Sequence, residues 1–336
     1  MPNLNTERSR ERLTGWFLIA PALLLLLLVF AYPIGRAFWL SLFTKNLGTN
    51  LQPVFAGAGN YSRMMGDGRF WQSIWNTTFF TAIAVSIEMI LGMGVALVLN
   101  QTFRGRGLAR TIAILPWALP TALIGLTWTW IFNDQYGVLN DMLLRLPILE
   151  WLEQLRSGTL SLPRFLRWFP ILLRWIFPNS IPVPPFNWLG DPTLAMFATI
   201  AADIWKTTSF VAILLLAGLQ SIPEDLYEAH AIDGATPFQS FRQITLPLLM
   251  PQILIAVLFR FAQSFGVFDL IKVMTEGGPA GATEMVSIYI YATVMRYLDF
   301  GYGAALVVVT FLVLIVAVAI ATFLLSKLRT HISGAQ

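Results

Sequence analysis

Between two long apolar segments lies the stretch Ser221-Ile-Pro-Glu-Asp-Leu-Tyr-Glu-Ala-His-Ala-Ile-Asp-Gly-Ala-Thr-Pro-Phe-Gln-Ser-Phe-Arg-Gln-Ile-Thr-Leu-Pro247. Its order of residues spells helix, turn, helix. Ser221 is a good N-cap, Pro223 suits a first turn, and Glu224 and Asp225 put negative charge at the positive end of the helix dipole. Gly234 can adopt the left-handed conformation that closes a helix. Thr236 then caps a second helix with Pro237 at its first position, and Pro247 is expected to limit it. Two short helices about a glycine corner make a compact polar knob.

The rest of the chain is far less polar. It has 336 residues, 56% hydrophobic and 12% charged, against roughly a quarter charged in soluble domains. Mean hydropathy is +0.67. A bilayer core needs about 20 mainly apolar residues, and the sequence has six segments of that kind: 16–35, 75–100, 111–133, 193–219, 248 to about 269, and 300–326. The knob falls between the fourth and fifth. This is the pattern of an all-α, multi-pass membrane protein with one transmembrane domain over 16–326 and short tails at 1–15 and 327–336.

Several function classes are excluded or disfavoured. There is no cysteine, which removes disulfides, iron–sulfur clusters and thiol nucleophiles. His230 and His331 are too far apart in sequence to form a metal-binding spacing. No phosphate loop of the Gly-x4-Gly-Lys-Ser/Thr type occurs, so ATP hydrolysis is not expected on this chain. The net charge of +4 is scattered among the spans without a basic run, which reads as anchoring to membrane lipid rather than nucleic-acid binding.

Arg8, Arg10 and Arg12 precede the first span; Arg104, Arg106 and Arg110 follow the second; Lys327 and Arg329 follow the sixth. By the positive-inside rule these ends are cytoplasmic, and six spans then place the knob on the same side. Pro116 and Pro120 predict kinks in the third span. Trp128, near the end of that span, either stacks on a ligand or belongs to an interfacial aromatic belt, as does Trp130; the belt is the preferred reading. Residues 141–186 form a long segment between the third and fourth spans. Leu162, Phe165, Leu166, Phe169, Leu172, Leu173 and Ile176 fall there at helical spacing, and four prolines follow at 178–185. An amphipathic helix lying at the membrane interface and an extended linker are expected.

Glu88 sits near the middle of the second span, Asp203 and Lys206 share a face of the fourth, and Arg260 and Gln263 lie in the fifth. Ionisable groups at that depth face a cavity or pair with each other. They are candidates for a solute path, where a few polar groups stand in a largely apolar wall, or for locks between spans. An ion-gradient-driven carrier is the alternative function, with Glu88 and Asp203 as ion sites. No catalytic constellation supports an integral membrane enzyme.

The sequence resembles the membrane subunits of binding-protein-dependent ABC importers. These carry the pattern E-A-A-x3-G-x9-I-x-L-P. Here Glu228, Ala229, Gly234, Ile244, Leu246 and Pro247 stand at that spacing, with His230 in place of the second alanine; Asp233, Gly234 and Ala235 match the form found in carbohydrate permeases. Asn60-Tyr61, 125–140, 187–192, 267–279 and 282–284 also resemble sugar permeases, of the maltose, trehalose and glycerol-phosphate type. By comparison with that family, residues 141–186 form an insertion. The resemblance implies a type I ABC importer permease fold with a cytoplasmic helix-turn-helix coupling loop at 220–247. It implies a bacterial plasma-membrane location, a related second permease, an ATPase dimer that holds ATP and Mg, and an external sugar-binding protein. Glu228 would then be the charged contact to the ATPase, and the 267–284 loop would lie on the outer side. This chain would carry no cofactor of its own.

Overall fold

The computed structural model describes residues 4–145, 154, 157 and 185–333. The chain is helical but for one hairpin among the described residues. Five helices are long and apolar enough to cross a membrane: Leu13–Ser41, Gly68–Asn100, Pro192–Leu219, Pro237–Met274 and Phe300–Phe323. The sixth span is a broken pair, Arg106–Ala118 and Thr121–Ile131, bent by 91°. The six segments expected from hydropathy are therefore present, the third of them divided.

The chain divides into two units. The first comprises 1–67 and 290–313. It begins with α1 (Leu4–Leu26), which runs through a π-turn at Leu27–Ala31 into α2 (Tyr32–Ser41). A two-stranded hairpin follows, β1 (Phe43–Asn46) and β2 (Asn50–Phe55), antiparallel with Phe43 opposite Phe55. The 41–72 segment thus contains strands and a short helix, α3 (Gly59–Met65). The Asn60-Tyr61 pair explains why. Asn60 donates to the carbonyls of Ser41 and Phe43 at 2.8 and 2.9 Å, and Tyr61 shares a 2.6 Å hydrogen bond with Ser41 Oγ. Both side chains fasten α3 to the point where α2 becomes β1. Arg63 completes this unit with an ion pair to Asp299 at 2.7 Å and a stack over the Tyr302 ring at 4.0 Å.

The second unit comprises 68–289 and 314–336. Its centre is α4 (Gly68–Asn100) against α8 (Pro192–Leu219), with α5 (Arg106–Ala118), α6 (Thr121–Ile131) and α11 (Leu246–Phe265) packed around them. Lipid is as apolar as leucine, so burial alone does not hold membrane helices together; close packing of small residues does. Ala84, Gly92 and Ala96 on α4 and Ala195, Ala198, Ala202 and Ala212 on α8 are buried accordingly. At Gly92 the approach is close enough that an added Cβ would lie 2.5 Å from Val211 Cγ1. Asp191 starts α8 by accepting from the amides of Thr193 and Leu194, both at 2.9 Å, with Pro192 in the first turn.

The break in the third span lies at Leu119–Pro120, while Pro116 sits inside α5. The residue before a proline is driven out of the helical region, and Leu119 is extended at φ −75°, ψ 143°. Beyond α6, helix α7 (Val138–Arg145) leads into the insertion. Asn140 closes that insertion at its base: it donates to Phe186 O at 2.9 Å and accepts from Phe186 N and Trp188 Nε1, both at 3.0 Å. The expected amphipathic helix and most of the proline-rich linker lie outside the described residues.

Two expectations for the polar knob are corrected. Ser221 does not cap α9 (Asp225–Ile232); its hydroxyl donates back to Gly218 O at 2.7 Å, and the N-cap position is Glu224. Nor does Pro247 end a helix. Helix α10 (Pro237–Ser240) continues through a π-turn at Phe241–Thr245 into α11. The wider turn passes the hydrogen bond of Leu246 N back to Phe241 O and so shifts the ladder just where Pro247 has no N–H to give.

Candidate functional site

Three polar clusters emerge, all within the second unit. The first is the loop between α8 and α11. Helix α9 ends with Gly234 at φ +78°. Gly234 N bonds to Ala231 O at 3.0 Å and Ala235 N to His230 O at 3.1 Å, the paired bonds of a Schellman closure. Two residues later Thr236 and Gln239 form a reciprocal capping box: Gln239 Oε1 accepts from Thr236 N at 2.7 Å, and Thr236 Oγ1 accepts from Gln239 N at 3.4 Å. The corner between the helices is therefore fixed by backbone chemistry on both sides.

Side chains then bind α9 to the continuous helix. Tyr227 Oη lies 2.9 Å from Thr245 Oγ1. His230 bridges Ser240 Oγ through Nδ1 at 3.1 Å and Gln243 Oε1 through Nε2 at 2.8 Å. The histidine that departs from the family pattern is thus half-buried inside the loop. Glu228, Ala229 and Asp233 are exposed, as are Ile232 and Phe238. Ala235, Ile244, Leu246 and Pro247 are half-buried along the root of the loop. The outer face of α9 combines two apolar side chains, Leu226 and Ile232, with the acidic Asp225 and Glu228. A cavity of about 690 Å³, bounded by Leu97, Asn100, Leu219, Tyr227, Phe238 and Phe241, separates the loop from the ends of α4 and α8.

The second site lies inside the bundle. Arg260 on α11 grips Glu88 on α4 with two hydrogen bonds, Nε to Oε2 at 2.6 Å and Nη2 to Oε1 at 2.9 Å. The same Nη2 reaches Asp203 Oδ2 on α8 at 3.0 Å, and Nη1 reaches Gln263 Oε1 at 3.0 Å. Thr207 donates to Glu88 Oε1 at 2.6 Å. Glu88 is fully buried and Arg260 is 2% exposed. Lys206 does not pair with Asp203, one helical turn away. Its ammonium points to the carbonyls of Trp117 and Leu119, both at 3.3 Å, which the broken third span leaves without helical partners. Two carboxylates and two cations cancel in charge, and three spans are joined by one guanidinium, as expected at membrane depth, where an unpaired charge is costly.

Of the six side chains singled out for a solute path, Glu88, Asp203, Lys206 and Arg260 are buried and engaged with protein groups. Gln263 is exposed on α11, and Trp128 is half-buried. Trp128 stacks on Phe132 at 5.2 Å between ring centres and meets Trp205 edge-on at 5.9 Å, whereas Trp130 is 74% exposed. Sequence reasoning missed Thr207 and Trp205. Thr207 lies one turn beyond Asp203, so its position on the charged face was available from spacing alone.

A third cluster anchors the 275–286 loop to the start of α4. Arg69 pairs with Glu284 through two hydrogen bonds of 2.7 Å. Asn76 donates to the carbonyls of Gly281 and Glu284 at 3.0 and 3.2 Å, and Thr77 Oγ1 accepts from Val286 N at 2.9 Å. The sequence motif at Ala282-Thr283-Glu284 is therefore half of a contact whose other half lies about 200 residues earlier, at positions 69–77.

Residues 88–330 match the model of the binding-protein-dependent transport system inner membrane component. The trehalose/maltose transport system permease protein MalF of Thermococcus litoralis is 38% identical over 314 residues, covering 93% of this chain and 94% of that one. The sulfoquinovosyl glycerol transport system permease protein SmoG of Agrobacterium fabrum is 38% identical over 301 residues, 90% of this chain and 86% of that protein. A chain in the crystal structure of a bacterial ABC transporter that imports alginate superposes with a TM-score of 0.70 at 21% identity, over 96% of this chain and 98% of that one, which supports the fold. With the loop motif, the spans and these matches in agreement, the chain belongs to the family of binding-protein-dependent transport system inner membrane components and has the type I ABC importer permease fold.

Proposed function

We propose that this chain is one of two permeases in an ATP-driven importer for a sugar or sugar-like solute such as a disaccharide or a glycosylated polyol. The observation that carries the reading is the preserved loop 225–247 in a chain 38% identical over 93% of its length to a trehalose/maltose permease. A separate ATPase dimer binds ATP and Mg, a related permease forms the other half of the path, and an external binding protein delivers the solute. The loop, the 100–110 segment and both termini face the cytoplasm of a bacterial cell.

Closure of the ATPase dimer displaces the exposed face of α9, with Glu228 as its charged contact. Tyr227 and His230 tie α9 to Thr245, Ser240 and Gln243, and helix continues from there into α11. The displacement therefore reaches Arg260 and Gln263 along a continuous helical span. Gln263 and Trp128 form the wall that meets the solute, offering an amide and an indole face in an apolar setting. Glu88, Asp203, Arg260 and Lys206 stand behind that wall and hold it in shape.

The test is mass spectrometry of what co-purifies with this chain, tagged at its C-terminus, from its native membrane in mild detergent. A second permease, an ABC ATPase and a binding protein carrying a sugar are expected. A stable chain recovered alone would overturn the reading in favour of a self-sufficient carrier.

A further inference from the structure

Helix α5 is a short element that lies along α8 and is gripped by a cation near each end. None of its residues is buried. Along its length it offers Ala109 and Ala113 to the α4–α8 core and Trp117 to Phe210, with ring centres 5.7 Å apart. The helix has 13 residues, a length at which an isolated helix is marginal, so it depends on this packing and on what holds its ends. At each end a cation is spent on backbone carbonyls.

At the end nearest the loop, Arg110 donates to Leu99 O, in the last turn of α4, at 3.2 Å. The Gln220 amide, turned with its oxygen inward, accepts from Nη1 and Nη2 of the same guanidinium at 3.2 and 2.5 Å. Gln220 is the C-cap of α8 and immediately precedes the loop. A C-terminal carbonyl of α4, with its partial negative charge, and the side chain that caps α8 thus converge on one arginine. At the other end, Lys206 on α8 holds the carbonyls of Trp117 and Leu119 on either side of the last residue of α5. Lys206 lies one turn from Asp203 and next to Thr207, both members of the charged cluster.

We infer that α5 is a strut between the loop and the intramembrane charged cluster, with Arg110 and Lys206 as the positioning residues that couple it at either end. Movement of the loop root at Gln220 pulls Arg110, and with it α5. The carbonyls at the Leu119–Pro120 break then shift against Lys206, changing the angle between α5 and α6 and so the placement of Trp128. A lysine suits the break, because its ammonium can follow two carbonyls through a change of angle without a fixed fork geometry.

The inference rests on the importer reading, and its test separates the two. The chain has no cysteine, so Leu108→Cys on α5 and Leu126→Cys on α6, 68% and 57% exposed, can take spin labels in the full complex. The distance between them is read by pulsed electron resonance without nucleotide and after trapping with Mg-ATP and vanadate. In the otherwise wild-type complex the distance shifts on trapping. In Lys206→Met and in Arg110→Gln the shift is lost while the ATPase remains bound at normal stoichiometry, and Lys206→Arg or Arg110→Lys restores at least half of it. An unchanged shift in both loss variants, or no shift in the wild-type complex with its ATPase bound and trapped, overturns the strut and leaves the importer reading intact. Failure of the wild-type chain to recover any ATPase overturns both.

Discussion

Glu88 and Glu228 are the same side chain in opposite circumstances. Glu88 is fully buried and accepts three hydrogen bonds, two from Arg260 and one from Thr207. Glu228 stands exposed on α9. The difference extends to the regions around them. In the bundle, charged side chains are spent on one another and on freed carbonyls, because an unpaired charge is costly at membrane depth. In the loop, backbone geometry and small polar caps maintain the shape, so the outward charges remain available to a partner. Rigidity comes from long-range ion pairing in one region and from local capping in the other. The two regions therefore differ in how they respond to substitution.

The sharpest way to break this contrast is Arg260→Met, which leaves two carboxylates buried without their cation. Removing one partner of a buried pair costs about 3–5 kcal/mol, so a marked loss of thermal stability and of recovered protein in detergent is expected. Glu88→Met combined with Arg260→Met should regain part of that loss. A single variant as stable as the wild type would show that the cluster is hydrated rather than dry.

Gly234→Ala probes the loop at its most constrained point. At φ +78° an alanine pays about 1–2 kcal/mol, and nothing lies within 4 Å of the added methyl group, so the strain is purely backbone. Solute uptake by reconstituted vesicles should fall while the melting temperature of the bundle barely changes. Full uptake by a correctly inserted variant would dismiss the requirement for this corner. Thr236→Ala removes the capping box, at a cost of about 1 kcal/mol. Faster backbone amide exchange confined to residues 235–240 is expected, and protection equal to wild type would contradict a capping role. The mildest change is Gln263→Ala: it removes one acceptor of the Arg260 guanidinium, at a cost of about 1 kcal/mol, and lowers uptake. Unaltered uptake would remove Gln263 from the solute path.

Much of this was legible from the residues in order. The spans follow from apolar length, the N-cap from Thr236-Pro237, and the glycine corner from Gly234, because each depends on chemistry within a few positions. Where only local signals were used and long-range contacts decided, the reading went astray. Ser221 is a good N-cap by type, yet its hydroxyl turns back to Gly218 O. Pro247 is a helix breaker by type, yet the π-turn before it removes the hydrogen bond it would have broken. The hairpin at 43–55 was missed because two short strands with one proline carry little signal, and its fastening by Asn60 and Tyr61 is tertiary.

The charged cluster shows the division most clearly. Membrane depth made it certain from sequence that Glu88, Asp203, Lys206 and Arg260 would need partners, since an isolated charge is not stable there. Which partner each takes depends on the crossing of α4, α8 and α11, whose approach is set by small residues such as Gly92 and Ala202. Asp203 thereby meets Arg260 rather than Lys206, and Lys206 is left to serve the break beside Pro120. Spacing along one helix determines which side chains share a face; only the packing of several helices decides what that face meets.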